Sequence, residues 1–211
     1  MNYFLSAFIG IIIGSLPTAY ILLKYFKQIN ITENGSSNVG AFNSFKVSKS
    51  KVIGLLVLII DILKGALTVT LIKILIGDEF IYLIIGIIGA VLSHCYSFWI
   101  NFKGGRGLAT AAGGAILISI PVLVIWFIIW LIAFLLRKNV HFSNISATIL
   151  SAALSFSSAK FLIKYSSSKA NSEMEFSLLI TFLMLIIFIR HIEPLKQYYK
   201  KMLKERKYEQ T

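Results

Sequence analysis

At the centre of the chain lies Phe102-Lys-Gly-Gly-Arg-Gly-Leu-Ala-Thr-Ala-Ala-Gly113, a glycine-rich segment with two basic residues between apolar runs. We expect the next helix to begin directly from it. Glycine lets backbone N–H groups turn towards a ligand, and the start of a helix adds partial positive charge, so the arrangement suits an anion. Lys103 and Arg106 bring full charges to the same place. The segment therefore predicts a binding loop for a phosphate-bearing substrate at a membrane surface.

The composition predicts an integral membrane protein. Of the 211 residues, 57% are hydrophobic and 14% are charged, and the mean hydropathy is +0.80. A soluble domain usually has about 25% charged residues. We expect one polytopic domain over residues 1–211, without a cleavable signal, because 4–23 is long enough to span and lacks a basic n-region. The single cysteine, Cys95, lies in an apolar run, which leaves no disulfide and no cysteine-based metal site.

Seven hydrophobic runs define the expected helices. They lie near 4–23, 52–76, 80–100, 107–119, 122–136, 144–163 and 176–190. A full crossing needs about 20 residues, so 107–119 and 122–136 are short. These two runs form either two short helices that turn at Pro121 or one re-entrant hairpin. The predicted fold is an all-α bundle of about seven transmembrane helices.

The basic residues predict the orientation of this bundle. With seven crossings and the N-terminus outside, 16 of the 21 Lys and Arg residues fall on the cytoplasmic side, as the positive-inside rule requires. The C-terminus is then cytoplasmic, and so are the polar segments near 24–51, 101–110, 137–146 and 190–211, where we expect any chemistry. Orientation and attraction to anionic lipid explain the net charge of +12. Nothing in the sequence indicates a nucleic-acid partner.

The loop after the first hydrophobic run is crowded with hydroxyl and amide groups. Ser36, Asn38 and Asn43 lie there among glycines and further small polar residues. Such a loop fits ligand binding through side-chain and backbone hydrogen bonds. The same composition is also ordinary in a membrane loop, so the residues alone leave both interpretations open.

Asp61 and Lys64 lie three residues apart inside the second hydrophobic run, on one helix face. A charge at the centre of a membrane helix costs about 2.5–3.5 kcal/mol, and such a residue is a candidate for function. The alternative is a self-neutralising pair that packs the bundle.

The three histidines do not form a metal site, because their positions at 94, 141 and 191 lack ligand spacing. His94 is either a polar cap on the bundle or a base. His191 is either a helix-end histidine favoured by the dipole or a site residue. The glycine loop does not have Walker spacing, and no Gly-x-Ser-x-Gly elbow is present. We therefore expect no metal and no cofactor.

Four motifs together resemble the bacterial acyl-phosphate:glycerol-3-phosphate acyltransferases, the PlsY family, nearly from end to end. They are Gly14-Ser-Leu-Pro-Thr-Ala-Tyr20, Gly35-Ser-Ser-Asn-Val-Gly-Ala-x-Asn43, Asp61-x-x-Lys-Gly65, and the segment from His94 through Phe102-Lys-Gly-Gly-Arg-Gly to Thr110. Each motif is weak alone, but together and in order they are specific.

The resemblance implies transfer of a fatty acyl group from acyl phosphate to the 1-hydroxyl of glycerol 3-phosphate, which gives lysophosphatidic acid in phospholipid synthesis. It implies that neither acyl-CoA nor acyl carrier protein is used directly. The expected partners are these two substrates and membrane lipids, with no obligate protein partner. The expected location is the bacterial cytoplasmic (inner) membrane, as a multi-pass protein.

The resemblance also implies roles for individual residues. The expected catalytic residues are Ser36, Asn38, Lys46 and His191. The expected substrate-binding residues are Asn43, Asp61, Lys64, Lys103, Gly104, Gly105, Arg106, Gly107 and Thr110. Acyl phosphate is already activated, so the protein need only orient the hydroxyl and neutralise charge on two phosphates.

Several positions depart from the family pattern. Phe42, Lys46, Ser37, Arg106 and Pro194 stand where the family has Thr, Arg, Gly, Lys and Asn. Lys201-Met202-Leu203 replaces a Gly-x-Glu, and Ser143 or Ser146 matches a further hydroxyl-bearing segment.

Two other functions remain open, the first suggested by these departures and the second by the intramembrane Asp61 and Lys64. One is a paralogue that kept the fold, lost catalysis, and binds lipid or a partner. The other is a transporter of a phosphorylated solute, although such proteins usually contain inverted repeats and the sequence shows no repeat.

Overall fold

The computed structural model describes residues 1–208, with the side chains of 1–200, 202 and 203; of the expected C-terminal segment, 209–211 lie outside the described residues. Over this part the chain is helical. The helices are α1 (Asn2–Ser15), α2 (Thr18–Lys27), α3 (Ala41–Ser48), α4 (Lys51–Leu75), α5 (Phe80–Cys95), α6 (Leu108–Ile118), α7 (Ile120–Arg137), α8 (Val140–Ser157), α9 (Ala159–Lys164) and α10 (Glu173–Tyr208). Short 3₁₀ turns lie at Ile31–Glu33 and Phe98–Ile100.

The helices have the length and composition of a membrane protein. Four segments are long and apolar enough to cross a bilayer, namely Asn2–Lys27, Lys51–Leu75, Ile120–Arg137 and Glu173–Lys200. Phe80–Cys95 and Leu108–Ile118 are shorter apolar helices. Each of the seven hydrophobic runs contains α-helix, with breaks at 16–17, after Cys95 and at Ser158, which confirms the all-α membrane class. The number of seven crossings and the orientation of the termini stay predictions.

The first spanning segment is broken between α1 and α2 at Leu16-Pro17. Pro17 has no N–H and disfavours helix at the preceding residue, so carbonyl groups at the end of α1 lose their helical partners. Two side chains replace these partners. The Ser97 hydroxyl donates to the carbonyl of Ser15, and the Lys64 ammonium donates to the carbonyl of Leu16. The break is therefore satisfied inside the protein, as it must be at membrane depth.

Glycines bring the central helices into backbone contact. A Cβ atom at Gly10 of α1 would overlap the carbonyl oxygen of Gly86 in α5, and one at Gly65 of α4 would overlap that of Thr110 in α6. Small residues allow this close approach in membranes, where lipid gives helices no hydrophobic reason to associate. Glycine at these positions therefore lets the helix backbones touch.

The short runs 107–119 and 122–136 form two separate helices. α6 ends at Ile118 and α7 begins at Ile120, so the break falls at Ser119 and Pro121 lies in the first turn of α7. Proline is favoured there because its missing N–H would be unpaired in any case. With 11 residues, α6 is only about 16 Å long. Residues 107–136 therefore form two helices, and two full crossings stay a prediction.

The last helix continues beyond the end of its apolar run. α10 extends from Glu173 through Pro194 to Tyr208, so the expected polar tail after Arg190 continues the same helix. At the other end, the loop before α10 is anchored, because Ser166 donates to the Ser119 hydroxyl and Ser168 donates to Asp78.

Candidate functional site

Asn43 organises the loop that precedes α3. Its Oδ1 accepts a hydrogen bond from the Ser36 amide at 3.0 Å, and its Nδ2 donates to the carbonyls of Asn34 and Asn38 at 3.1 and 3.0 Å. The side chain is buried, with 2% exposure. Its amide is therefore committed to the loop, and it shapes the backbone that presents Ser36 and Asn38.

Ser36 and Asn38 are placed beside the glycine loop. The amide of Val39, the next residue, donates to the carbonyl of Gly104 at 3.2 Å. Ser36 is exposed and Asn38 is half-buried. The Ser36 hydroxyl makes no hydrogen bond within the described residues. Two segments that are distant in sequence thus meet, with a free hydroxyl at their junction.

The glycine loop folds directly onto His94 at the end of α5. The Gly105 amide donates to the His94 carbonyl at 3.0 Å. A Cβ at Gly104 would overlap the backbone carbonyl oxygen of His94, and one at Gly105 would overlap its imidazole. Gly107 has φ +82°, in the left-handed region that favours glycine. Glycine is therefore required at these positions by space or by backbone conformation.

The loop presents unpaired amides where α6 begins. Within the described chain, the backbone N–H groups of residues 106–110 have no backbone acceptor, and the first amide that is paired, Ala111, donates to Gly107 at 2.8 Å. These groups carry the partial positive charge of a helix N-terminus. The Thr110 hydroxyl is also buried without a partner. The geometry suits an anion.

Several basic side chains lie close to the loop. Arg106 Nη1 lies 3.5 Å from Nδ1 of His141. Burial and then the charge of Arg190 lower the pKa of Arg106 to about 10. Burial, Arg106 and Lys46 together lower the pKa of His141. The mutual repulsion of these groups is what an anionic ligand would relieve.

Lys46 is held by Phe42, the other residue of α3 that departs from the family pattern. The Lys46 ammonium lies 4.6 Å from the centre of the Phe42 ring, within the range of a cation–π contact. The two departures are thus one local pair. The ring restrains a flexible lysine that keeps the charge but lacks the planar fork of arginine.

Arg190 and His141 are site residues that the sequence did not single out. Arg190 donates to the carbonyls of Gly104 and Gly105 from α10, and His141 is next to Arg106. The signal for Arg190 was weak: an arginine beside His191 at the end of an apolar run. His141 lay in a polar segment without any motif.

His191 is buried, and its Nδ1 donates to the carbonyl of Ile187 at 2.8 Å, since a carbonyl can only accept. In the neutral ring this leaves Nε2 as a hydrogen-bond acceptor. Nearby on α8, the Ser143 hydroxyl donates to the carbonyl of Asn139 at 2.7 Å.

The intramembrane pair contacts His94, the residue on which the glycine loop folds. Lys64 Nζ is 2.7 Å from Asp61 Oδ1, and His94 Nδ1 is 3.8 Å from the same oxygen. Since His94 also supports Gly105, the order of contact is Asp61, His94, glycine loop. Asp61 and Lys64 are thus connected to the glycine loop through His94.

An apolar cavity of about 380 Å³ begins beside the loop. Leu108, directly after Gly107, and Ile187, which pairs with His191, lie in its wall, and Ser119 is at the other end of α6. Further lining residues are Ile62, Ile87, Ala112, Trp126 and Met184. A polar anion site therefore adjoins a cavity that suits a hydrocarbon chain.

The fold is that of a membrane-embedded acyltransferase family. Residues 4–201 match the family model described as glycerol-3-phosphate acyltransferase, and the chain belongs to that family.

Relatives with the name glycerol-3-phosphate acyltransferase include one from Pelagibacter ubique, 33% identical over 71% of this chain and 76% of its own. Another, from Ehrlichia canis, is 30% identical over 92% of this chain and 93% of its own.

Two solved structures share the fold. The glycerol 3-phosphate form of PlsY (YgiH), an integral membrane glycerol 3-phosphate acyltransferase, is similar with a TM-score of 0.76 and 26% identity, over 95% of this chain and 94% of that one. Its lysophosphatidic acid form gives a TM-score of 0.74 at 25% identity, over 95% and 93% of the two chains.

Proposed function

We propose that this multi-pass membrane acyltransferase takes a fatty acyl group from acyl phosphate and transfers it to the 1-hydroxyl of glycerol 3-phosphate. The protein acts on glycerol 3-phosphate in phospholipid synthesis, as its family does. The acyl phosphate donor, the seven crossings with the N-terminus outside, and the bacterial inner membrane as location are the finer parts of the proposal. The position of the basic residues supports the orientation.

One observation carries the proposal: a cationic loop with unpaired amides adjoins the apolar cavity at Leu108. The loop fits a phosphate and the cavity fits an acyl chain. A ligand that places its chain in the cavity would have its polar end beside the loop. This is the relation that an acyl donor and a phosphorylated acceptor require.

The chemistry needs positioning and charge neutralisation. The acceptor hydroxyl attacks the acyl carbonyl carbon, the C–O bond to phosphate breaks, and the hydroxyl proton leaves with the departing phosphate. Phosphate is a good leaving group, so a covalent enzyme intermediate is unnecessary. Holding both substrates in reacting geometry and stabilising the developing charge are the contributions that the protein can make.

Residue roles follow from position. Ser36 and Asn38 orient the reacting groups, with Asn43 fixing their loop. Lys46 supplies counter-charge, and His191 offers Nε2 as an acceptor. Lys103, Arg106 and the amides after Gly105 hold glycerol 3-phosphate. Asp61 and Lys64 act through His94.

Family membership does not favour the two other candidates, a catalytically impaired paralogue and a transporter of a phosphorylated solute. A transporter would move labelled glycerol 3-phosphate into sealed vesicles, whereas the acyltransferase would make product without such flux.

The cavity leads to a prediction about the acyl chain. Ala112 lines the cavity, and Ala112→Phe should fill part of it. Each buried CH₂ contributes about 0.8 kcal/mol, so losing room for two should reduce kcat/KM for palmitoyl phosphate about tenfold. Decanoyl phosphate should be affected much less. Purified protein in detergent, assayed with both donors and labelled glycerol 3-phosphate, measures the ratio.

Ala153→Phe is the matched control, because Ala153 is exposed on α8 and the same substitution there should leave the ratio unchanged. An equal loss with both donors in Ala112→Phe would show that the cavity does not hold the acyl chain.

A further inference from the structure

The guanidinium of Arg190 donates hydrogen bonds to the main chain of the glycine loop. Nε donates to the Gly105 carbonyl at 3.2 Å, and Nη2 donates to the carbonyls of Gly105 and Gly104 at 3.0 and 3.4 Å. The guanidinium also lies 4.8 Å from the centre of the Tyr96 ring. One side chain of α10 thus fixes two consecutive peptide groups that are 85 residues away in the chain.

Among the side chains that the structure describes, Arg190 has no acidic partner. In the part of the chain whose side chains are described, the pairs within 4.0 Å are Lys64–Asp61, Lys73–Asp78 and His94–Asp61. Arg106, which is close enough to Arg190 for repulsion, also lacks a carboxylate. Two guanidinium groups are therefore assembled at the loop without a counter-charge from any described side chain.

The carbonyl contacts determine where the amides point. In a trans peptide the C=O and N–H groups are on opposite sides. The Gly105 carbonyl faces Arg190, so the amide of Arg106 faces away from Arg190, beside the unpaired amides that begin α6. The Gly104 carbonyl is fixed as well, since it also accepts from Val39. Arg190 thereby sets the plane of the peptide that offers the first free amide.

We infer that Arg190 is a positioning residue for glycerol 3-phosphate, which acts by holding the Gly104 and Gly105 carbonyls so that the amide of Arg106 faces the phosphate. This inference rests on the proposed function of the loop. In this role the planar guanidinium must donate to both carbonyls at once, which fixes the orientation of their peptide groups. A point charge at the same place does not reproduce it, because an ammonium group lacks the rigid fork that matches two adjacent acceptors.

The test compares Arg190→Lys and Arg190→Gln with wild type. KM for glycerol 3-phosphate should rise about 10- to 100-fold in both variants, as expected when a reacting group is displaced by about 1 Å. KM for palmitoyl phosphate and the melting temperature in detergent should change little. Tyr96→Leu, which leaves the guanidinium but removes its ring, should change KM in the same direction by a smaller factor.

Arg137→Gln is the matched control. Arg137 ends α7, is exposed, and lies over the Phe142 ring at 5.8 Å, so it shares the charge and the aromatic contact but has no hydrogen bond to the loop within the described residues. Its kinetic constants should equal those of wild type.

Three outcomes overturn the inference. A wild-type KM for glycerol 3-phosphate in Arg190→Lys would show that a positive charge suffices. Equal rises in KM for both substrates would show a general defect. If wild type did not bind glycerol 3-phosphate, Arg190 could not position it. Calorimetric titration with glycerol 3-phosphate, without donor, separates this inference from the proposed function. If wild type binds but transfers no acyl group, the function fails, and the binding constants of the variants still decide the role of Arg190.

Discussion

Gly104→Ala should lower kcat/KM for glycerol 3-phosphate by about 100-fold, because the loop would be displaced by roughly 1 Å. A Cβ there would overlap backbone atoms of His94 and Cys95, which cannot rotate away. The Gly104 carbonyl also accepts hydrogen bonds from the Val39 amide and the Arg190 guanidinium. Its movement would therefore disturb the Ser36 loop and the contact with α10. Steady-state kinetics with each substrate varied in turn measure the effect.

Two further glycine variants define the cause. At Gly105→Ala the nearest overlap is with the His94 imidazole, which can shift more easily than the backbone that Gly104→Ala meets, so the loss should be smaller than for Gly104→Ala. Gly10→Ala overlaps backbone of α5 away from the loop and should lower the melting temperature without a selective rise in KM for glycerol 3-phosphate. If Gly104→Ala kept wild-type kinetics, the loop would not be the phosphate site.

Lys64→Met should destabilise the protein by about 3–5 kcal/mol, because it leaves a buried carboxylate without its partner. Asp61 and Lys64 are only 2% and 4% exposed, and the ammonium also satisfies the Leu16 carbonyl at the helix break. The loss should appear as a lower unfolding midpoint in detergent.

The double variant Asp61→Leu/Lys64→Met separates stability from chemistry. Replacing both members of a buried ion pair by apolar residues of similar size is often neutral or stabilising, so the midpoint should return most of the way. As supports of the loop, the two residues should be dispensable for most of the acyl transfer once the fold is restored. A stable double variant without activity would instead give the pair a direct role.

Much of the fold could be predicted because it depends on local hydrophobicity. Each apolar run contains α-helix. Helix ends were less predictable. The break expected at Pro121 falls at Ser119. α10 continues past Arg190 and through Pro194, because the end of an apolar run marks a change of environment and does not by itself end a helix.

The site was predictable where its residues are adjacent in sequence and not where they act across the bundle. The glycine loop has a local pattern that physical chemistry explains. Arg190 pairs with carbonyl groups, which every residue has, so no pattern of side chains could indicate its partners. Asn43 was expected to bind substrate because it lies in a polar loop, and only the three hydrogen bonds of its amide show how it holds that loop.

The most direct test of the central claim is acyl transfer to labelled glycerol 3-phosphate by the purified, detergent-solubilised protein, with palmitoyl phosphate and palmitoyl-CoA as separate donors and Ser36→Ala beside wild type. We expect the wild-type protein to make lysophosphatidic acid from palmitoyl phosphate alone. A folded Ser36→Ala protein should make little or none, because it lacks the Ser36 hydroxyl at the junction of the two loops. Equal product from palmitoyl-CoA would contradict the proposed donor, and no product from folded wild-type protein would contradict the function itself.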